Sequence, residues 1–175
     1  MDTSIVARAR RIQLILLDVD GVLTDGTIVM HGDGTESKTF HIRDGAAIVW
    51  TLRSGLTVGL LSARESAATL QRATQLGIPI VSQGVSNKSA EYARIIAAFG
   101  VTDEDVAYMG DDLLDITILQ RVGLAAVPAD AAEDTRACAH WVSTLPGGRG
   151  AVREFLELIL KAQDRWEPLV AEFSS

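Results

Sequence analysis

The sequence predicts an α/β fold organised around a central parallel sheet, and three observations carry that prediction. Ile12 to Val19 reads IQLILLDV, an almost unbroken apolar run of strand length, as expected of a parallel strand buried on both faces. Comparable runs recur at Thr57 to Leu61, Ile78 to Val81, Val106 to Met109 and Leu124 to Val127. Segments of helical length separate them, and strands alternating with helices imply βα units. With 175 residues, 47% of them hydrophobic and 22% charged, the chain fits one domain, 1–175, with a sizeable core.

The first run is the most apolar and should be the central strand. After it, Thr27 to Met30 and Thr35 to Phe40 flank the turn-forming HGDG at His31 to Gly34, which predicts a small β-hairpin flap. Asp44 is placed to cap a helix that runs to Ser54 and is stopped by Gly55, while Gly77, Gly100 and Gly123 close three later segments. Ser86 or Asn87 begins the helix containing Lys88. The last long helix runs from Ala151 to Gln163, ahead of Pro168. In the tail, 164–175, Trp166, Leu169, Val170 and Phe173 stand among polar residues; it reads as a frayed terminus or as a segment docking on a neighbouring subunit.

A net charge of −7 argues against general adsorption to nucleic acid or an anionic membrane. An anionic substrate must therefore be drawn in by local positive charge or by a metal. Cys138 is the only cysteine, which excludes an internal disulfide and a cysteine-rich metal site. No apolar run approaches the roughly 18 residues of a spanning helix, and Met1 to Arg11 lacks the apolar stretch of a secretory signal. A cytoplasmic protein is the expectation.

The strongest chemical signal is DVDGVLTDG, Asp18 to Gly26, directly after the first strand, because open parallel sheets bind ligands outside the carboxyl ends of their strands. A second acidic group, GDDLLD from Gly110 to Asp115, follows another strand, so up to five carboxylates could converge if the two strands are adjacent. Their repulsion calls for a cation or for protonation. Magnesium suits carboxylate and water oxygens, and no His/Cys cluster offers a zinc site. A single aspartate after a strand is usually a turn or cap residue, which is an even alternative for Asp25 and Asp112 alone but a poor one for Asp18 and Asp20 together. Ser62, at the end of TVGLL, and the backbone N–H of Ala63 are candidate phosphoryl binders, and Lys88 is a candidate point charge for the transferring group. Taken singly, such a serine is usually a helix cap and such a lysine a solvated charge; their order along the chain is what makes them informative.

That order, Asp18/Asp20, Ser62, Lys88 and Gly110 to Asp115, resembles the haloacid dehalogenase superfamily of phosphohydrolases. DVDGVLTDG, FHIRDG at Phe40 to Gly45, QGVSNK at Gln83 to Lys88, GDDLLDI at Gly110 to Ile116 and GGRGAVRE at Gly147 to Glu154 resemble, more narrowly, the 3-deoxy-D-manno-octulosonate 8-phosphate (KDO 8-phosphate) phosphatases. The resemblance implies a Rossmann-like three-layer fold, magnesium, and hydrolysis of an eight-carbon sugar-acid phosphate used in building lipopolysaccharide. It further implies Asp18 as nucleophile, Asp20 as general acid and then base, and Ser62 and Lys88 as phosphate binders. Asp111 is implied as a metal ligand beside Asp18 and the Asp20 backbone carbonyl, with Asp112 and Asp115 supporting this shell by orienting Lys88 or metal-bound water. The pattern departs from the family at Ala46 and Ala47 and at Ala63, where relatives carry an aromatic or glycine.

About forty residues separate Asp20 from Ser62 and about twenty separate Lys88 from Asp111, which leaves no room for a large cap domain beside the core elements. The site of a lone chain should be open, and the resemblance implies a homotetramer whose neighbouring subunits complete it. For an anionic sugar acid, Arg43, Arg64 and Arg149 are the candidate carboxylate partners, with Asp44 and Gly45 beside the first of them. Three other readings stand beside this one: a phosphatase for a nine-carbon acid phosphate of the sialic-acid type, a signalling receiver domain, and a silent assembly module. A receiver would begin with an acidic pair, whereas this chain begins with DVD.

Overall fold

The computed structural model describes residues 2–174. Its middle layer is a sheet of six parallel strands among the described residues: β1 (Leu14–Leu17), β4 (Thr57–Leu61), β5 (Ile80–Ser82), β6 (Val106–Met109), β7 (Leu124–Val127) and β8 (Trp141–Val142). They lie in the order β5-β4-β1-β6-β7-β8. All four residues of β1 are buried, which is why its sequence shows no polar alternation. β1 pairs with β4 on one side and β6 on the other, Leu17 standing opposite Leu60 and Met109. The strand order therefore reverses at β1, the position where ligands collect in an open α/β sheet.

Two cores sandwich the sheet. One face, with Ile15, Leu17, Val58 and Met109, packs against Phe155, Leu156 and Ile159 of α7 (Ala151–Ala162) and Ala47 and Ile48 of α2 (Ile42–Arg53). The other, with Leu14, Leu16, Leu61 and Tyr108, packs against Tyr92 and Ile95 of α4 (Lys88–Phe99) and Ile118 of α5 (Ile116–Leu119). The remaining helices are α1 (Thr3–Arg11), α3 (Ala67–Leu76), α6 (Glu133–Arg136) and α8 (Trp166–Glu172). The expected hairpin is present as β2 (Val29–Met30) and β3 (Glu36–Ser37), a separate two-stranded ribbon. Between the motif-bearing loops there is no further domain among the described residues, so the α/β three-layer fold without a large cap stands.

Three local expectations need correction, and one strand is added. His41, not Asp44, precedes α2; Asp44 lies inside the first turn, buried, and its Oδ1 accepts a hydrogen bond from Arg153 N–H at 2.8 Å. Gly77 and Gly100 do end helices in the left-handed conformation, but α5 ends at Gln120, and Gly123 instead donates its N–H to Asp103 O at 2.7 Å. The run at Ile78 to Val81 pairs two residues later, as β5. β8 was not expected because two residues carry no periodicity; it is held by pairing with β7 and by Trp141 stacking on Phe155 at 5.6 Å.

The tail is not frayed: α8 folds back on its own chain. Leu169 is buried, Trp166 meets Trp50 edge-on at 6.2 Å, Phe173 lies 5.7 Å from the same ring, and the Arg153 guanidinium stacks 4.5 Å over it. Val170 and Phe173 keep exposed surface. No described helix is long and apolar enough to cross a membrane.

Candidate active site

Because β1, β4 and β6 are neighbours, the loops leaving their carboxyl ends carry Asp18, Ser62 and Asp111 to one edge of the sheet. Asp18 continues the ladder, donating its N–H to Met109 O at 3.0 Å. Its carboxylate is fixed from two sides: Oδ1 accepts from Val19 N–H at 2.7 Å, and Oδ2 lies 2.7 Å from Lys88 Nζ. Gly21, with φ of 83°, lets the loop turn back beside Asp111, and a Cβ there would overlap the Asp111 carboxylate.

Lys88 reaches the site because Asn87 caps α4, its Oδ1 accepting from Ala90 N–H at 3.0 Å, which makes Lys88 the first helical residue. Its ammonium is 2.7 Å from Asp115 Oδ1 as well as from Asp18, and its side chain is only 4% exposed. Burial alone would lower the Lys88 pKa; Asp18 and Asp115 overcome that and raise it. Asp115 is saturated: Oδ1 also accepts from Tyr108 OH at 2.6 Å, and Oδ2 accepts from Asp111 N–H at 2.9 Å and Asp112 N–H at 3.3 Å. Asp112 caps the short 3-10 turn that follows, accepting from Leu113 N–H at 2.8 Å. Of Asp112 and Asp115, expected to orient Lys88 or metal-bound water, Asp115 is the one paired with Lys88.

One carboxylate oxygen from each of Asp18, Asp111 and Asp115 falls within a 4.8 Å cluster. Burial, then Asp115, pushes Asp18 up to about 6 against the pull of Lys88; burial, then Asp18, Asp115 and Asp112, pushes Asp111 up to about 8. Asp111 accepts no hydrogen bond from any described residue, so it is the carboxylate with oxygens to spare, whereas those of Asp115 are committed. An all-oxygen donor set under mutual repulsion, with one member lacking donors, fits a hard divalent cation. The Asp20 side chain lies outside this cluster, which leaves its backbone carbonyl as the group it could offer.

Asp20 instead faces the flap. Its Oδ1 accepts from Lys38 Nζ at 2.6 Å, and Oδ2 is 3.5 Å from Arg64 Nε. Ser62 is buried, its N–H already donated to Ser82 O at 2.9 Å and its Oγ accepting from Arg64 N–H at 3.3 Å. The Ser62 hydroxyl hydrogen and the Ala63 N–H are therefore the donors this loop can turn to an anion.

Of the three arginines expected to meet substrate, Arg64 is the one in contact with a site carboxylate. Arg43 and Arg149 line a cavity of about 570 Å³ between the start of α2 and α7, together with His41, Trp141 and Arg153, and none of Asp18, Asp20 or Lys88 borders it. Arg149 also lies 3.3 Å from Asp25. Asp44 faces inward to Arg153, and Gly45 packs against the Arg72 guanidinium. Tyr108, Lys38 and Glu36 escaped the sequence reading. Tyr108 reads as a core aromatic of β6, and the one signal was a phenol rather than a plain ring two residues before the GDD turn. Lys38 and Glu36 read as solvated charges of a projecting hairpin.

Residues 59–156 match the family of haloacid dehalogenase-like hydrolases. The chain is 42% identical over 163 residues to the 3-deoxy-D-manno-octulosonate 8-phosphate phosphatase of Yersinia pestis, covering 93% of this chain and 87% of that protein. Among solved structures, the KDO 8-phosphate phosphatase of Moraxella catarrhalis, in complex with magnesium, phosphate and KDO, superimposes with a TM-score of 0.96 at 36% identity and covers 99% of each chain. The cobalt-bound form of the Haemophilus influenzae phosphatase matches with a TM-score of 0.88 at 34% identity, over 91% of this chain and 93% of that one. A shared fold, the ordered motifs and this identity over nearly the whole length lead to one conclusion: the chain belongs to the haloacid dehalogenase-like hydrolases, in the family of KDO 8-phosphate phosphatases.

Proposed function

We propose that the chain is a magnesium-dependent phosphatase that converts KDO 8-phosphate to KDO and inorganic phosphate through an aspartyl-phosphate on Asp18. The observation that carries the reading is the Asp18–Lys88–Asp115 chain of buried charges, 2.7 Å at each link, at the sheet edge where Asp111 has oxygens to spare. Asp18, Asp111 and the Asp20 backbone carbonyl are the groups that would hold the ion. Bound magnesium supplies positive charge that offsets repulsion between an anionic nucleophile and an anionic phosphate.

An Asp18 carboxylate oxygen forms the new bond to phosphorus while the bond from phosphorus to the sugar oxygen breaks, and the Asp20 carboxyl donates its proton to that leaving alkoxide. Water then forms a bond to phosphorus, Asp20 accepts its proton, and the bond to Asp18 breaks. The Ser62 hydroxyl, the Ala63 N–H and the Lys88 ammonium receive charge on the transferred oxygens. Arg64 stands beside Asp20 as a partner for the substrate carboxylate, while Arg43 and Arg149, with Asp44 and Gly45 shaping the start of α2, form a second cationic wall. The exposed Val29 and Met30 of the hairpin support a homotetramer in which a neighbour completes the open site. A cytoplasmic location belongs to the same reading, and the lone thiol Cys138 supports it.

The test is phosphate release from KDO 8-phosphate, a nine-carbon keto-acid 9-phosphate and hexose phosphates, with magnesium and with chelator. Magnesium-dependent preference for the eight-carbon compound is expected. Equal turnover across the panel would remove the substrate assignment, and preference for the nine-carbon acid would give the sialic-acid-type reading.

A further inference from the structure

Lys38 stands on the residue after β3, in a hairpin whose other side chains are mostly in water, yet its own side chain is 0% exposed. Burying an ammonium is costly unless it is paired. Its nearest partner is Asp20 Oδ1 at 2.6 Å, with Glu36 Oε1 at 3.9 Å. Arg64 completes a quartet: Nη2 is 2.9 Å from Glu36 Oε2 and Nε 3.5 Å from Asp20 Oδ2. Two cations and two anions thus tie the hairpin to the loop after β1 and to the loop after β4. Arg64 is half exposed and shared between two carboxylates, so it is free to turn to a ligand. Lys38 is enclosed, and Asp20 Oδ2 has no hydrogen-bond donor among the described residues. When Arg64 turns away, Lys38 is the one remaining described group that fixes the Asp20 carboxyl.

We propose that Lys38 is a positioning residue for the reaction: the flap delivers it to Asp20, and its ammonium holds the Asp20 carboxyl in the orientation from which it exchanges a proton with the leaving oxygen and then with water. This rests on the reading of Asp20 as general acid and base. It assigns the hairpin a part in catalysis within one chain, separate from any part in assembly. An oriented charge-assisted hydrogen bond tolerates Arg better than a neutral side chain, because Arg keeps both the charge and the donor.

The test compares K38M, K38R, D20N and the K38M/D20N pair by steady-state kinetics with magnesium present, each checked by thermal melting and by oligomer mass. For K38M we expect kcat to fall about tenfold to hundredfold with KM changed less than about threefold, since general acid–base catalysis is worth about 10²–10⁴. K38R should recover a large part of kcat. The double variant should be no slower than D20N, because Lys38 acts only through Asp20. Wild-type kcat in K38M overturns the inference while leaving the Asp20 reading in place. So does a K38M loss that persists undiminished in the D20N background, or a loss wholly accounted for by unfolding or dissociation. Wild-type activity in D20N overturns the Asp20 reading and this inference with it.

Discussion

The two sides of the site are built differently. On the sheet side, Asp18, Lys88, Asp115 and Tyr108 are all buried and joined in a chain, Lys88 meeting both Asp18 and Asp115, and Tyr108 donating to Asp115. On the flap side, Arg64, Arg43 and Arg149 are exposed, the hairpin strands are two residues long, and the arginines are divided between the Asp20 quartet and a separate cavity. The contrast teaches where each property of the enzyme resides. On the proposed reading, the groups of phosphoryl transfer are set into the core, where close packing holds geometry, and recognition of the sugar acid falls to exposed side chains that can be exchanged without disturbing the fold.

The variant that tests this contrast hardest is K88M. Removing the ammonium leaves Asp18 and Asp115 buried without their shared partner, at a cost of about 3 kcal/mol or more of stability. We expect phosphate release to fall at least about a thousandfold, as for loss of a major charge-stabilising group, with the melting temperature clearly lowered. A mild loss of both, like that from an exposed arginine, would erase the distinction between the two sides.

Metal removal sharpens the same point. The folded-state pKa values of Asp18 and Asp111 are raised from the ordinary 3.8 to about 6 and about 8. A carboxyl raised on folding is most favourable to the fold below its unfolded pKa, and that contribution is lost as pH climbs through the folded value. In chelator, the melting temperature should therefore decline between about pH 4 and pH 8 on account of these groups. Saturating magnesium should raise it more at pH 8 than at pH 5. An equal increment at both pH values would remove the repulsive carboxylates from the account.

On the flap side, R64A is expected to raise KM for KDO 8-phosphate about tenfold, the worth of one charged hydrogen-bonded contact. Turnover of a small aryl phosphate lacking a carboxylate should be nearly unchanged. R43A and R149A should show the same selectivity with smaller effects in a single chain. A kcat loss on both substrates would make Arg64 part of the phosphoryl machinery. The smallest expected effect is that of Y108F, which removes one hydrogen bond to Asp115 and should cost about 1 kcal/mol of stability and a few-fold in kcat. Full activity would mean that Asp115 holds Lys88 without help from the phenol.

What was legible in the sequence follows the same division. Strand β1 and the motifs after it could be read because burial on both faces suppresses alternation and because a carboxylate pair beside a glycine has few other uses. Strands β4, β6 and β7 match their apolar runs residue for residue. Asp44 misled because a capping residue type at a helix start is indistinguishable, without the fold, from one whose carboxylate reaches Arg153 on another helix. Lys38 was invisible because its burial depends on how the hairpin leans over Asp20, a tertiary fact that a charged residue in a turn-rich segment does not announce. The tail concealed α8 for a similar reason: Trp166 and Leu169 acquire a partner surface only once α2 and α7 are side by side. Adjacency of β1 and β6, on which the convergence of carboxylates depends, is a matter of strand order that short apolar runs do not encode.

The central claim, a covalent phosphoryl group on Asp18, is tested most directly by mixing excess enzyme with KDO 8-phosphate and magnesium, quenching in acid within one turnover, and mapping the protein by mass spectrometry. The account predicts one phosphoryl group on the peptide that contains Asp18, and in D18N neither that group nor phosphate release, with the fold retained. Phosphate release by D18N at the wild-type rate, or a phosphoryl group on a residue other than Asp18, would contradict it.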